Sequence, residues 1–497
     1  MPISDSLIGL AALEARLQQD LAWLDLPAKN WVPVRRHEGK AVLDVAIIGG
    51  GMAGMAAAAA LLHVGVQACI FDQSPQGFEG PWATTARMET LRTPKELTGP
   101  ALGLPALTFR AWFEAQFGRQ AWDALDKIPR LQWMDYLRWY RQVLALDIRN
   151  EHRVHAVVPR ADGLVELDVD GPAGRRIVLA RRVVLATGRD GLGGAYLPGF
   201  VQQLPRDRWA HSSDAMDYAA LTGQRIGVVG AGASAMDSGA TALESGAASV
   251  DLLIRRADIP RIHKVKGSTN PGLIQGSVNL PDDWKWRIRH YLNKQQTPPP
   301  PGSTRRVSRH PNARFNLGCG ILDIQLDGNE LKVHTSKGLF TLDFLIFSTG
   351  FRIDWYGRPE FAALAPHIRA WKDRYTPAPG QEDQELADSP DLGKAFELQE
   401  KAPGACPGLS RVHCFCYPAV LTHGTVSGDI PPISDGANRL AQGIASLLYH
   451  EDVDVHYANM QTYAEPELTG DEWVPAGTPT CRSSSPEINL ASEKSVL

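Results

Sequence analysis

The 497-residue chain is poor in the features that mark export, membranes or nucleic acid. Its six cysteines are scattered, too few and too irregular for a disulfide framework. It lacks the C-x-x-C pair of a thiol-disulfide reductase; the closest cysteines, Cys414 and Cys416 in "HCFC", read as an alternating strand, and with His413 they are not expected to bind metal. No run reaches the roughly 18–20 apolar residues of a membrane span. No basic start precedes an apolar stretch, so no secretory leader is expected. The formal charge of −4 gives no reason to expect nucleic acid or an anionic membrane as partner. These absences lead us to expect a cytoplasmic protein acting on small molecules, with a homodimer as one option.

Globular proportions of hydrophobic (44%) and charged (21%) residues let a chain this long bury two or three domain cores. Leu7, Leu10, Leu13, Leu17, Leu21 and Leu24 recur at helical spacing after a cap at Ser4 or Asp5, predicting a helix laid over the main body. The tryptophans 112, 122, 133 and 139 also fall at helix-like positions and read as core. Residues 297–302, "TPPPPG", read as a stiff loop, and 376–391 as a surface insertion. The tail from about Thr478 has no core pattern and is expected to be mobile.

Two glycine turns carry the chemistry. In "VAIIGGGMAG" an apolar strand runs into Gly49, Gly51 and Gly54. The first glycine permits a tight turn, the second lets a pyrophosphate approach, and the third lets the helix sit on the strand. The helix N-terminus then offers free N–H groups to phosphates. The next strand ends in Asp72, eighteen residues after Gly54, where an acid takes ribose hydroxyls. The second turn, "VVGAGASAM", supplies Gly230, Gly232, Ser234 and Ala235. Its following strand ends in Arg255 and Arg256, which suit a 2′-phosphate through forked, charge-assisted hydrogen bonds.

An acid-ended site and an arginine-ended site in one chain predict FAD plus NADPH, hence hydride transfer. "ATG" (186–188) and "STG" (348–350) each end an apolar strand and read as crossings between interleaved domains, with Thr187, Gly188, Thr349 and Gly350 beside the cofactors. The predicted class is α/β, with two Rossmann-like domains and the NADP domain inserted in a discontinuous FAD domain. The expected boundaries are a helical segment 1–39, FAD parts 40–190 and 341–455, an NADP domain 191–340 and a tail 456–497.

From about 40 to 450 the chain resembles the flavin-containing monooxygenase family, the class B flavoprotein monooxygenases that include N-hydroxylating and Baeyer–Villiger enzymes. The resemblance rests on "GGGMAG", "EGPW" (79–82), "TPKEL" (93–97), "ATG", "GAGASA" and "STGF". It implies that NADPH reduces FAD, that O2 adds at flavin C4a, and that the hydroperoxide passes its outer oxygen to a soft nucleophile. It places Trp82 at the flavin. Of the family's F-x-G-x-x-x-H fingerprint the chain keeps His211 but has Pro205 and Asp207 for Phe and Gly, with Ala215 where an aromatic belongs. Arg92 stands where the family has a flavin-side asparagine. We therefore expect a small nitrogen nucleophile, an amine or hydroxylamine-type compound, with sulfur or Baeyer–Villiger oxygenation, flavin reduction and redox sensing as the alternatives. Arg92 is the expected catalytic residue at the oxygenated flavin, or else a surface partner of Glu89 or Glu96. His211 is expected to orient NADP+ or the peroxide, or else to be structural. Asp435, near the start of the helix after "SGDIPP", is expected at the flavin pyrimidine edge, or else in a plain helix cap.

Overall fold

A computed structural model describes residues 9–477; the expectations for Ser4, Asp5, Leu7 and the tail from Thr478 lie outside the described residues. The chain divides into a large unit ending at Glu451 and a C-terminal unit beginning at Asp452. The large unit opens with α1 (Leu10–Trp23), where Leu17 and Leu21 are buried in the first core and Leu24 is exposed. This is the covering helix that the leucine spacing predicts.

The first sheet follows. β1 (Leu43–Ile48) turns at the glycines into α2 (Met52–His63) and returns as β2 (Ala68–Phe71). The alanines 56–60 of α2 are all buried, because a face without bulk lets the helix lie close on the sheet. α3 (Phe109–Ala124) and α4 (Arg130–Val143) form an aromatic layer in which Trp112, Trp122, Trp133 and Trp139 are buried, as core. Phe109 and Tyr136 lie among them, with ring centroids 5.6 Å apart. Truncating any one of these tryptophans to Ala costs about 3–5 kcal/mol. The chain then adds β3 (Ile148–Arg149), β4 (Arg153–Pro159), β5 (Val165–Gly171) and the long β6 (Gly174–Leu185). The sheet order is β3-β2-β1-β6-β5-β4. The first half of β6 pairs antiparallel with β5, while Val183–Leu185 run parallel to β1.

A second sheet is built the same way. After β7 (Gly193–Ala195) and β8 (Trp209–His211), β9 (Arg225–Val229) turns at glycines into α5 (Ala233–Glu244) and returns as β10 (Ser249–Ile254). α6 (Asp282–Gln295) and α7 (Pro301–Ser308) lead to β11 (Ala313–Leu317). The proline run feeds α7 directly, with Pro301 at its first position, where a missing N–H costs nothing. A three-stranded meander, β12 (Ile321–Asp327), β13 (Glu330–Thr335) and β14 (Gly338–Leu342), precedes β15 (Phe344–Phe347). The second sheet is all parallel, in the order β8-β15-β9-β10-β11.

This order corrects the boundary at 341. β15 lies inside the second sheet, beside β9, so the chain returns to the first sheet only after "STG". The crossing is a ribbon in which β16 (Phe351–Ile353) runs antiparallel to β7. β17 (Val412–Cys414) then joins the first sheet beside β6. The Cys414 and Cys416 thiols are buried 3.7 Å apart, and burial raises the Cys414 pKa, so Cys414 is not poised as a thiolate. Residues 376–391 are not simply a surface insertion: Leu386 is buried, and Asp391 is buried and paired with Arg369 and Arg374. α8 (Ile433–Glu451) packs on α2 and ends the large unit; the C-terminal unit carries α9 (Val453–Thr462). Among the described residues no helix is long and apolar enough to cross a membrane.

Candidate active site

The two glycine turns are near-repeats in their contacts. Gly49 has φ +106°, and a Cβ there would lie 2.5 Å from the Ala186 carbonyl oxygen. Gly230 has φ +134°, and its Cβ would lie 2.7 Å from the Ser348 carbonyl oxygen. Each turn is thus pressed against the residue that opens "ATG" or "STG" on the neighbouring strand. The third positions serve packing: a Cβ on Gly54 would fall 1.9 Å from the Gly49 carbonyl oxygen, while Ala235 is fully buried. The middle positions differ. A Cβ on Gly51 meets only Gly80 at 3.6 Å, and one on Gly232 meets nothing within 4 Å. The fold does not need glycine there, but an approaching pyrophosphate does. Neither α2 nor α5 has a side-chain cap, which leaves first-turn N–H groups for a ligand, although Ala235 of α5 donates to the Gly232 carbonyl.

Both turns open into one cavity of about 2800 Å³. From the first half it is lined by Gly49, Gly51, Asp72, Trp82 and Arg92, and at the crossings by Thr187, Gly188, Thr349 and Gly350. The second half contributes Gly230, Gly232, Ser234, Arg255 and Arg256. Asp72 accepts hydrogen bonds from the Gly50 N–H (2.6 Å) and the Ser74 N–H (2.7 Å), so it shapes the turn as well as facing the cavity. A carboxylate has acceptor sites to spare for ribose hydroxyls. The "EGPW" loop is pinned by Glu79, buried and bound to Arg141 and Asn150 at 2.7 Å each, which holds Gly80 opposite Gly51. Arg255 and Arg256 make no ion pair among the described residues. These two cradles fit one dinucleotide each.

Two of the expected site residues are not among those that line the cavity. His211 is buried; its Nδ1 is 2.7 Å from the Ser213 hydroxyl, and its ring lies edge-on to Phe351 beside the crossing ribbon. Its neighbours Ser212 and Ser213 reach the cavity and it does not. Burial lowers its pKa, in keeping with the structural alternative for this residue. Asp435 does not line it either: its Oδ1 accepts from the Gln275 side chain at 2.8 Å. Asp429, Ile430, Pro431 and Pro432, just before α8, line the cavity in its place. Arg92 does line the cavity, but its partner is neither Glu89 nor Glu96. Its Nη2 lies 3.4 Å from Asp237 Oδ2 on α5, bridging the two halves. Enclosure by protein lowers its pKa, and Asp237 opposes that shift.

The sequence reading missed a polar group at the same cavity. Arg189, immediately after "ATG", stacks on Tyr417 with its guanidinium carbon 4.5 Å from the ring centroid. Arg289 of α6 donates from Nη2 to the Tyr417 hydroxyl at 3.0 Å. Lys285, one turn earlier on α6, and Asp429 face the same space. Enclosure raises the Asp429 pKa against the pull of Arg289 and Arg189. In all, thirteen Lys and Arg against seven Asp and Glu line the cavity, although the whole chain is acidic. Only Arg189 had a sequence signal, its position after the "TG" turn. Tyr417 and Arg289 lie far along the chain and meet it through tertiary folding alone.

Residues 46–190 match the FAD-NAD(P)-binding family model, and residues 120–294 match that of L-lysine 6-monooxygenase/L-ornithine 5-monooxygenase. The chain is 39% identical over 469 residues to the FAD-dependent urate hydroxylase of Xanthomonas campestris, covering 94% of this chain and 98% of that protein. Among solved structures it resembles the ornithine N-hydroxylase of Kutzneria sp. 744 (TM-score 0.63, 16% identity, 82% of this chain and 99% of that one). It also resembles L-lysine 6-monooxygenase of Pseudomonas syringae (TM-score 0.64, 16% identity, 81% and 99%). The two-sheet fold is theirs. With the identity to the urate hydroxylase running nearly end to end, the chain belongs to the flavin-dependent monooxygenases, in the family of that FAD-dependent enzyme.

Proposed function

We propose that the protein is an FAD-dependent hydroxylase that uses NADPH and O2 to oxygenate an anionic, planar nitrogen heterocycle, urate or a close analogue. The observation that carries this reading is the cationic wall of the cavity at Arg189, Lys285 and Arg289, beside the Thr187–Gly188 turn. A urate monoanion is attracted there, whereas a cationic amine is repelled. The similarity to a urate hydroxylase supports the same choice. The balance is substrate, O2, NADPH and a proton giving hydroxylated product, water and NADP+.

The chemistry that FAD supplies when bound is reductive activation of O2 for insertion of one oxygen atom. The chain's own part is positioning and exclusion of water. Gly51 and Gly232 admit the pyrophosphates, Asp72 meets a ribose, and Arg255 with Arg256 meets the 2′-phosphate. Arg92 faces the cavity from the flavin half while tied to Asp237 of the nicotinamide half, so it stands where both cofactors and substrate meet. Arg92→Asn should leave FAD content unchanged and lower the hydroxylated product formed per NADPH, with hydrogen peroxide making up the difference. An unchanged ratio removes Arg92 from the chemistry.

A second reading, N-oxygenation of a small amine, is favoured by the match of residues 120–294 to the lysine and ornithine monooxygenase family. One assay separates the two: NADPH oxidation and O2 uptake with urate, lysine, ornithine or cadaverine, and products identified by mass. Urate-dependent turnover giving a product heavier by one oxygen supports the first reading; an N-hydroxylated amine with inert urate overturns it.

A further inference from the structure

The group around Tyr417 is assembled from three distant stretches: Arg189 after the "ATG" turn, Arg289 on α6, and Tyr417 with Asp429 before α8. One guanidinium stacks on the ring at 4.5 Å, and the other donates to its hydroxyl at 3.0 Å. Arg189 also lies 5.8 Å over Phe351 of the crossing ribbon. Neither arginine has a carboxylate within 4 Å among the described residues. Two guanidiniums facing a cavity with no carboxylate in direct ion-pair contact have donors to spare, and their planar forks match a planar anion edge-on. Asp429 faces the same cavity and lies in the field of both arginines. It offers an acceptor to a ring N–H.

We propose that Arg189, Tyr417 and Arg289 form the substrate seat, clamping the anionic, carbonyl-bearing edge of a planar heterocycle, with Asp429 accepting from a ring N–H. This rests on the urate reading and adds the residues that make the site select charge. Tyr417 acts as a spacer: it fixes both guanidiniums at once, so that they present one surface. A neutral oxopurine of the same shape would keep the stacking and lose the charge term.

The test uses the FAD-loaded full chain and measures equilibrium binding of urate and of neutral hypoxanthine, together with KM for urate and for NADPH. Arg289→Met and Arg189→Met should each weaken urate binding by roughly 10- to 100-fold, the loss of one charge-assisted hydrogen bond. Hypoxanthine binding and KM for NADPH should change less than about twofold. Arg289→Lys, which keeps the charge and loses the fork, should fall between, and it serves if the Met variant does not fold. Urate affinity unchanged in all three variants overturns the clamp while leaving the urate reading standing. A raised KM for NADPH with unchanged urate binding assigns the guanidiniums to the nucleotide and overturns it too. An unaltered enzyme that neither binds nor consumes urate takes down both readings together.

Discussion

At Gly51 and Gly54, neighbours in one motif, the same substitution should fail for different reasons. Gly54→Val drives a side chain into the Gly49 carbonyl, 1.9 Å from the first added carbon, so the protein should not accumulate as soluble product. Gly51→Val meets only Gly80 at 3.6 Å, so the chain should fold and yet be purified without FAD. Flavin absorbance and circular dichroism on the two variants check this; full flavin content in Gly51→Val would show that the pyrophosphate lies elsewhere. Arg255 and Arg256 make the second contrast, between two nucleotides. Replacing both with Ala should cost NADPH binding on the order of 1.5–3 kcal/mol per lost contact and leave NADH use nearly untouched. Steady-state KM for each nucleotide decides it, and equal losses would make the arginines structural.

The elements are joined by ions as well as by packing. Arg306 of α7 has little exposure and donates to Glu244 of α5 at 2.6 and 3.1 Å and to the Arg87 carbonyl at 3.1 Å. It also stands 3.8 Å from Asp237, which Arg92 reaches from the other half. Asp237 is buried, so its charge is tolerable only among these cations. Removing one partner of a buried pair costs about 3–5 kcal/mol, chiefly through the charge left behind. Arg306→Ala should therefore lower the unfolding free energy measured in urea by that much, and Arg306→Ala/Asp237→Asn should recover part of the loss. If the double variant is no better than the single one, the two charges do not depend on each other.

Across the whole molecule, acid should be destabilising for a specific reason. His413 of β17 has Nδ1 2.7 Å from the Ala395 carbonyl, and His423 has Nε2 2.9 Å from the Gly393 carbonyl. His423 also stacks on Phe396 at 3.7 Å, so both rings hold residues 393–396 against the first core. Burial pushes both pKa values down to about 3, from 6.5 in an open chain. Above pH 6.5 both forms of the chain carry neutral rings and nothing is lost. Below it the unfolded chain takes up protons that the folded one refuses, so stability falls until the folded pKa is reached. At about 1.4 kcal/mol per pH unit for each ring, going from pH 6.5 to 5 removes about 4 kcal/mol. Urea unfolding at pH 7.5 and 5 should show the difference, and His413→Gln/His423→Gln should lose less on acidification than the unaltered chain. Equal losses would place the acid sensitivity elsewhere.

What was legible in the sequence follows from local physics. A turn that needs positive φ or close approach can be made only by particular residues, so "GGGMAG" and "GAGASA", each between an apolar strand and a helix, point to two dinucleotide cradles. Strand-end Asp72 and Arg255 differ in charge, which separates the two cradles without any structure. Helical spacing is equally local, and it placed Leu17, Leu21 and the four tryptophans in the core. Sheet membership is not local: β15 and β6 read alike as apolar strands ending in "TG", and only pairing with β9 put β15 in the second sheet. The same holds for side chains whose meaning depends on distant partners. Asp435 sits at a helix start, but Gln275 draws it away; His211 keeps a family position, but Phe351 and Ser213 enclose it. Arg92 found Asp237, 145 positions along the chain, and not its neighbours Glu89 or Glu96. The sequence by itself therefore determined two nucleotide sites and the class of chemistry. Only the tertiary structure decided which charges face the cavity, because Arg189, Arg289 and Tyr417 are joined by folding and by nothing in their spacing.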